Sequence, residues 1–244
     1  MNYSILTACL NSERTIRRAI DSVLSQKIQP AEYVFVDGGS ADGTLQMIWE
    51  KELFAKKNNF KTVFKIINQD EKTGITGAWN LGLKEIRSDI VFILNSDDWY
   101  EPDAASEVIN CFENNAAAEI VVSSALFHNQ SGKFPGHCKP FYLFPVLMPV
   151  IHPGCFVRKY VYDKIGLFDE KYKISADYEF LYRCRSKGIK FCEIRKILVN
   201  MELGGTANRN RGAARGETLE IGRRYCRLPI FPELAYLARR LTGR

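Results

Sequence analysis

The chain has 244 residues, 46% hydrophobic and 25% charged. This composition excludes a disordered polymer and suits one large α/β domain, alone or with an appendage. No run of about 18 apolar residues is present, so no spanning helix is expected. The net charge of +6 is unevenly placed: residues 209–244 hold nine Arg, no Lys and three acids (Glu217, Glu220, Glu233), while the first 208 residues balance 25 cations against 25 acids.

Residues 3–9 read as a strand, with no signal-peptide layout before them. An amphipathic helix follows at 13–25, then a strand at 32–37, a helix at 42–55, a strand at 63–67, a helix at 75–86 and a strand at 89–94. This alternation predicts a parallel sheet with crossover helices. A helix at 102–114 and a strand at 119–124 come next. Residues 126–157 are rich in Phe, Pro and Gly, lack a clear period and read as a long connection with irregular strands. Helical patterns return at 158–165 and 176–187, and a strand pair near 190–201 precedes Gly204-Gly205. Seven scattered cysteines without a CxxC pair predict reduced cytosolic thiols, not a disulfide frame or zinc site.

Three predicted strands end in polar residues. The first ends in Thr7-Ala8-Cys9-Leu10-Asn11, with Glu13 just beyond. The second ends in Asp37, before Gly38-Gly39-Ser40-Ala41-Asp42-Gly43-Thr44. The third is VFIL followed by Asn95-Ser96-Asp97-Asp98. In an open parallel sheet such ends share one edge, where ligands bind. Adjacent acids there call for a cation, and a divalent metal carrying a diphosphate is the natural one. Each segment alone also reads as an ordinary turn with a capping acid. The glycine pattern is neither GxGxxG nor a P-loop, which counts against dinucleotide binding and ATP hydrolysis. On a helix over 176–183, Asp177 shares a face with Phe180 and Leu181, and it reads either as a general base or as an acid favoured by the helix dipole. His152, in an irregular segment, reads as a structural residue or as a contact to phosphate, metal or acceptor.

Taken together, SILTACLNSERTIRRAIDSVLSQ (4–26), EYVFVDGGSADGT (32–44), FILNSDDWYEPD (92–103) and HPGCFVRKYVYDKIGLFDEKYKISADYEFLYR (152–183) make the chain similar to family 2 glycosyltransferases of the GT-A fold, bacterial enzymes that build O-antigen, capsule and other surface polysaccharides. The resemblance implies a mostly parallel, Rossmann-like α/β sheet over residues 1–207, followed by a basic, partly amphipathic helical tail at 208–244. It implies a donor site at Thr7, Ala8, Asn11, Glu13, Asp37, Asn95 and Asp98, with Asp37 on the base, usually uracil. Asn95-Ser96-Asp97 stands in place of the DxD motif, Asp97 would bind Mn²⁺ or Mg²⁺, and Asp177 would be the catalytic base. The implied reaction is inverting transfer from a nucleotide-diphosphate sugar, UDP-linked for preference, to a hydroxyl of a glycan or lipid-diphosphate-linked acceptor. The chain departs from the family at Asn95, which offers an oxygen without charge, and at GITGAWNLG (74–82), where Thr76, Gly77 and Trp79 replace Tyr, Asp and Met.

In the tail, Ile230, Leu234, Leu237 and Leu241 follow i, i+4, i+7, i+11, flanked by Arg239, Arg240 and Arg244. Such a helix either lies in an anionic membrane interface or packs back on the domain through the same stripe. The first predicts a cytoplasmic protein peripheral to the inner face of the membrane. No nucleic-acid partner is expected, because no aromatic platform accompanies the arginines. Two other functions compete: a catalytically silent sugar-nucleotide-binding scaffold, hinted at by Asn95, and a nucleotidyltransferase, which the lack of a Gly-rich basic loop at 7–18 disfavours.

Overall fold

The structure is a computed structural model describing residues 1–71, 73–204, 210–228 and 230–242. Among the described residues, nine strands form one curled sheet flanked by eight helices. The strands are β1 (Tyr3–Cys9), β2 (Glu32–Asp37), β3 (Val63–Asn68), β4 (Ile90–Ile93), β5 (Trp99–Tyr100), β6 (Ile120–Asn129), β7 (Gly132–Gly136), β8 (Cys155–Arg158) and β9 (Phe191–Glu202). The helices are α1 (Ile16–Leu24), α2 (Thr44–Lys57), α3 (Gly74–Glu85), α4 (Ala104–Asn114), α5 (Lys159–Ile165), α6 (Ala176–Ser186), α7 (Arg211–Tyr225) and α8 (Ile230–Thr242).

The sheet order is β3-β2-β1-β4-β8-β6-β9-β5, with β7 paired to β6. The longer ladders are parallel: β1 with β2, β2 with β3, and β6 with β9. Strand β8 runs antiparallel between β4 and β6. Strands β1, β2 and β4 are covered on both faces, so β4 and the middle of β2 read as unbroken apolar runs, while β1 also buries Ser4 and Thr7. Helix α1 buries Ile16, Ala19, Ile20, Val23 and Leu24, the i, i+3, i+4, i+7, i+8 stripe of a half-buried helix. Each such side chain contributes about 1.5–3 kcal/mol. Helix α3 lies so close to β1 that a Cβ on Gly82 would meet Leu6 Cδ1 at 2.2 Å; only glycine permits that approach.

Two expectations change. The long connection at 126–157 contains a hairpin, in which β6 runs on to Asn129 and turns into β7. The expected strand pair near 190–201 is one strand, β9, whose ladder with β6 shifts register around Ser123–Ala125. The bulge absorbs the register shift and leaves one continuous strand, which pairs β6 along its length and β5 on its other edge at Val199 and Asn200. Gly205 and the expected 207/208 boundary fall outside the described residues. Beyond it, α7 packs on α6 and buries Ile221 completely in the core shared with Tyr178, Phe180 and Leu181. No helix among the described residues is long and apolar enough to cross a membrane.

Candidate active site

The carboxyl ends of β1, β2 and β4 meet at one edge, because the three strands are parallel neighbours. Three loops leave that edge and are laced together. Asn11, in the left-handed region at φ 50°, donates its backbone amide to the Ser40 hydroxyl at 2.9 Å, and its Oδ1 accepts the Ala41 amide at 2.9 Å. The Glu13 amide donates to Asp42 at 3.1 Å, and Glu13 Oε2 accepts the Gly43 amide at 3.2 Å. The Ser12 amide donates to Thr44 Oγ1 at 2.7 Å, and the Ser12 and Ser96 hydroxyls bond at 2.8 Å.

Asp37 is buried, and its carboxylate accepts the Gly39 and Ser40 amides at 3.0 and 2.8 Å and the Ser40 hydroxyl at 2.5 Å. Gly39 completes this turn at φ +88°. Thr7 is fully buried, and its hydroxyl donates to the Leu94 carbonyl at 2.8 Å, tying β1 to the end of β4. Ala8, beside it, is partly open.

After β4, Asn95, Ser96 and Asp97 are half-buried, and Asp98 is buried. Asn95 Nδ2 donates to Asp98 Oδ2 at 2.9 Å, and the Glu202 amide donates to Asp98 Oδ1 at 3.2 Å. Asp98 therefore braces the loop against the end of β9. Burial, then the charge of Asp97, pushes the Asp98 carboxyl up to about 7. Burial also raises Asp97, with Arg18 pulling the other way. Arg18, which no motif in the sequence singles out, reaches this loop from α1. Its guanidinium stacks 3.6 Å over Trp99, donates to the Asp97 carbonyl at 2.9 Å and pairs with Glu202 at 3.0 Å.

Among the described residues no cluster of three His, Cys, Asp or Glu side chains could enclose a metal. The oxygens present are the Asp97 carboxylate and Asn95 Oδ1, the atom left after Asn95 donates its amide to Asp98. This sparse, hard-oxygen set fits a Mn²⁺ or Mg²⁺ ion that takes its remaining ligands from substrate phosphates and water.

The second half of the site lies across β8. Phe92 of β4 pairs with Phe156, so the turn His152–Gly154 sits at the same edge as the Asn95–Asp98 loop. The Tyr100 hydroxyl donates to the Pro153 carbonyl at 3.4 Å, joining the two. Asp177, in the first turn of α6, faces His152. Burial raises the Asp177 carboxyl and lowers the His152 imidazole, and each favours the other's charged form. The indole of Trp79 packs 4.8 Å from His152 and 5.1 Å from Phe168. Its Nε1 is buried without a hydrogen-bond partner. Glu179, by contrast, is fully buried and paired with Arg183 at 3.0 Å, so the second acid of this turn serves packing.

The model of the family described as Glycosyl transferase family 2 matches residues 4–176. The chain belongs to that family. It is a glycosyltransferase, and the match takes in every candidate donor residue as well as the turn carrying His152. A PGL/p-HBAD biosynthesis glycosyltransferase of Mycobacterium bovis is 26% identical over 84% of this transferase and 79% of the relative. Poly-beta-1,6-N-acetyl-D-glucosamine synthase of Staphylococcus epidermidis is 30% identical over 52% of the chain and 29% of the synthase. Among solved structures, residues 1–349 of S. aureus TarS in complex with UDP-GlcNAc superpose with a TM-score of 0.73 at 17% identity, over 99% of this transferase and 73% of that chain. The transferase spans only 44% of a longer TarS chain. The mannosyltransferase PcManGT of Pyrobaculum calidifontis, in complex with GDP-Man and Mn²⁺, gives 0.71 at 15% identity over 98% and 69% of the two chains. These likenesses establish the GT-A fold expected from the sequence.

Proposed function

We propose that this transferase moves a sugar, with inversion, from a UDP-linked donor to a hydroxyl of a glycan or lipid-diphosphate-linked acceptor in surface-polysaccharide synthesis. The observation that carries the reading is the meeting of two acidic centres at one sheet edge: Asn95–Asp98 after β4, and Asp177 with His152 beside β8. The loops at 7–13 and 37–44 hold the nucleotide. Asp97 and Asn95 hold Mn²⁺ or Mg²⁺, which when bound neutralises charge developing on the departing diphosphate. Asp177 accepts the proton of the acceptor hydroxyl as that oxygen attacks the anomeric carbon from the opposite face. A carboxyl raised by burial suits a base working near neutral pH. The sugar nucleotides and Mn²⁺ held by TarS and PcManGT, and the biosynthetic roles named for the M. bovis and S. epidermidis relatives, support the substrate class.

Residues 1–207 then carry the donor site and the base, while 208–244 complete the core through Ile221 of α7 and take the transferase to an anionic membrane on the cytoplasmic side. Helix α8 packs through Pro232, buried beside Gly222, and Arg239, which donates to the Val146 carbonyl. Its apolar stripe points the other way, with Leu241 87% exposed and Ile230, Leu234 and Leu237 each more than half exposed. Arg244 lies outside the described residues. An exposed stripe beside arginines suits an interface helix.

A thermal-shift screen with UDP, GDP and their sugars, with and without Mn²⁺, tests the donor site, because ligands that bind only the native state raise the melting temperature. A Mn²⁺-dependent shift with UDP or a UDP-sugar is expected. No shift with any nucleotide in folded protein would overturn the reading. Binding without turnover across a broad acceptor screen would point to the silent scaffold.

A further inference from the structure

Helix α7 lies beyond the matched family region, yet one of its faces is committed to the loop that leads into α6. Glu217, Glu220 and Arg224 recur at i, i+3 and i+7 and so share that face. Glu217 Oε1 accepts the Lys173 amide at 2.9 Å, and Oε2 accepts the amides of Ile174 and Ser175 at 3.0 and 2.7 Å. Glu220 accepts the Tyr172 hydroxyl at 3.1 Å and pairs with Lys171. Arg224 pairs with Asp169 at 3.1 Å. From the other side, α3 holds the same loop: Thr76 donates to the Tyr172 carbonyl at 3.1 Å, and Asn80 bonds Phe168 in both directions at 3.0 Å.

Ser175 begins α6 without using its own side chain as a cap. The carboxylate at that position comes from α7, and a negative charge there is favoured by the helix dipole. We propose that Glu217 is a positioning residue, whose carboxylate fixes the N-terminal end of α6 and thereby aims the Asp177 carboxyl two residues further on. The inference rests on the reading of Asp177 as the base. A glutamine cannot replace this carboxylate, since it offers one oxygen to three donors and turns an NH₂ toward the others. Among the described residues, the titratable groups whose charge acts on Asp177 or feels it include His152 from the turn before β8, Cys155 at the start of β8, and Glu217 from α7. Among them, the charge of Glu217 favours the protonated form of Asp177.

The test compares the full chain with Glu217→Gln, Glu217→Ala and Asp177→Asn. Amide exchange at 173–175 should quicken by about tenfold or more in the Glu217 variants, because those amides lose their acceptor. The Asp177 carboxyl, followed by ¹³C NMR and assigned with Asp177→Asn, should titrate at lower pH in Glu217→Gln, because a neighbouring negative charge is gone. UDP affinity should stay within about twofold. UDP release from UDP-GlcNAc should fall in kcat by roughly 10- to 100-fold, since a displacement of about 1 Å costs on the order of 100-fold. Unchanged exchange and an unchanged titration in a folded Glu217 variant would overturn the inference. So would rapid exchange of the amides of 173–175 in the unaltered protein, a result that needs no variant to fold. Turnover retained by Asp177→Asn would instead sink the base assignment, whereas a dead Asp177→Asn beside a normal Glu217→Gln sinks only the role of Glu217.

Discussion

The proposed donor shelf and the helix carrying the proposed base are held in different ways. On the shelf, loops leaving adjacent parallel strands bond to one another: Asn11 to Ser40 and Ala41, Glu13 to Asp42 and Gly43, Ser12 to Ser96. The supports are short polar side chains within the motif segments themselves. The loop before α6 is gripped instead by Thr76 and Asn80 from one end of the chain and Glu217, Glu220 and Arg224 from the other. The proposed nucleotide shelf is thus braced by its own motif segments, while the helix that carries Asp177 is braced by residues outside its motif.

Substitutions should separate the two halves. The largest effect is expected from Asp177→Asn, which should keep UDP and Mn²⁺ binding and lose about 10²- to 10⁴-fold in kcat. The same variant sharpens the comparison through stability. A carboxyl raised in the folded state binds protons more tightly there than in the unfolded chain, so its contribution to stability falls as pH rises through that raised range. Asp177→Asn should therefore melt higher than the parent near neutral pH, with the gap closing by about pH 4, near the ordinary aspartate value. A lower melting temperature at every pH would count against a base held in a desolvated pocket.

Asp97→Ala should do the converse on the shelf and remove the Mn²⁺-dependent part of the UDP shift. At ligand about 100-fold above Kd that part corresponds to roughly 2.7 kcal/mol, and a metal-dependent shift surviving in the variant would move the cation site elsewhere. Leu237→Asp with Leu241→Asp should cut binding to anionic vesicles by about tenfold or more, since burial of each leucine is worth about 1.5–3 kcal/mol. Hydrolysis of the donor in solution should not change. Equal binding by parent and variant would leave the stripe without a lipid role. The smallest effect expected is from Gly82→Ala, in which the new methyl meets Leu6 and forces α3 away from β1 at about 1–3 kcal/mol. Thermal melting would read it, and a neutral result would mean that Leu6 repacks freely.

The shelf was legible because each strand end carries its own polar signature and parallel order brings those signatures together. Asp177 entered as a candidate base through resemblance, and its role is a proposal. Arg18 was not legible, because its value comes from stacking on Trp99 and bonding the Asp97 carbonyl, some 80 residues away along the chain. Glu217 was hidden for a similar reason: its partners are backbone amides, which leave no mark in a side-chain pattern. The unity of β9 escaped because the charged Arg195-Lys196 step looks like a break in a strand but is absorbed by a bulge. In the tail the periodicity of α8 was readable, but periodicity alone could not say which way the stripe would face.

The burial of Ile221 bears on the order in which a nascent chain can mature. Strands β1 to β4 and the shelf loops are complete once residue 98 has been made, and chains emerge N-terminus first. The core around Tyr178, Phe180 and Leu181 still lacks Ile221 at that point, and for more than a hundred residues afterwards. During synthesis the proposed nucleotide platform is made early, and the apolar wall behind Asp177 closes only when α7 arrives.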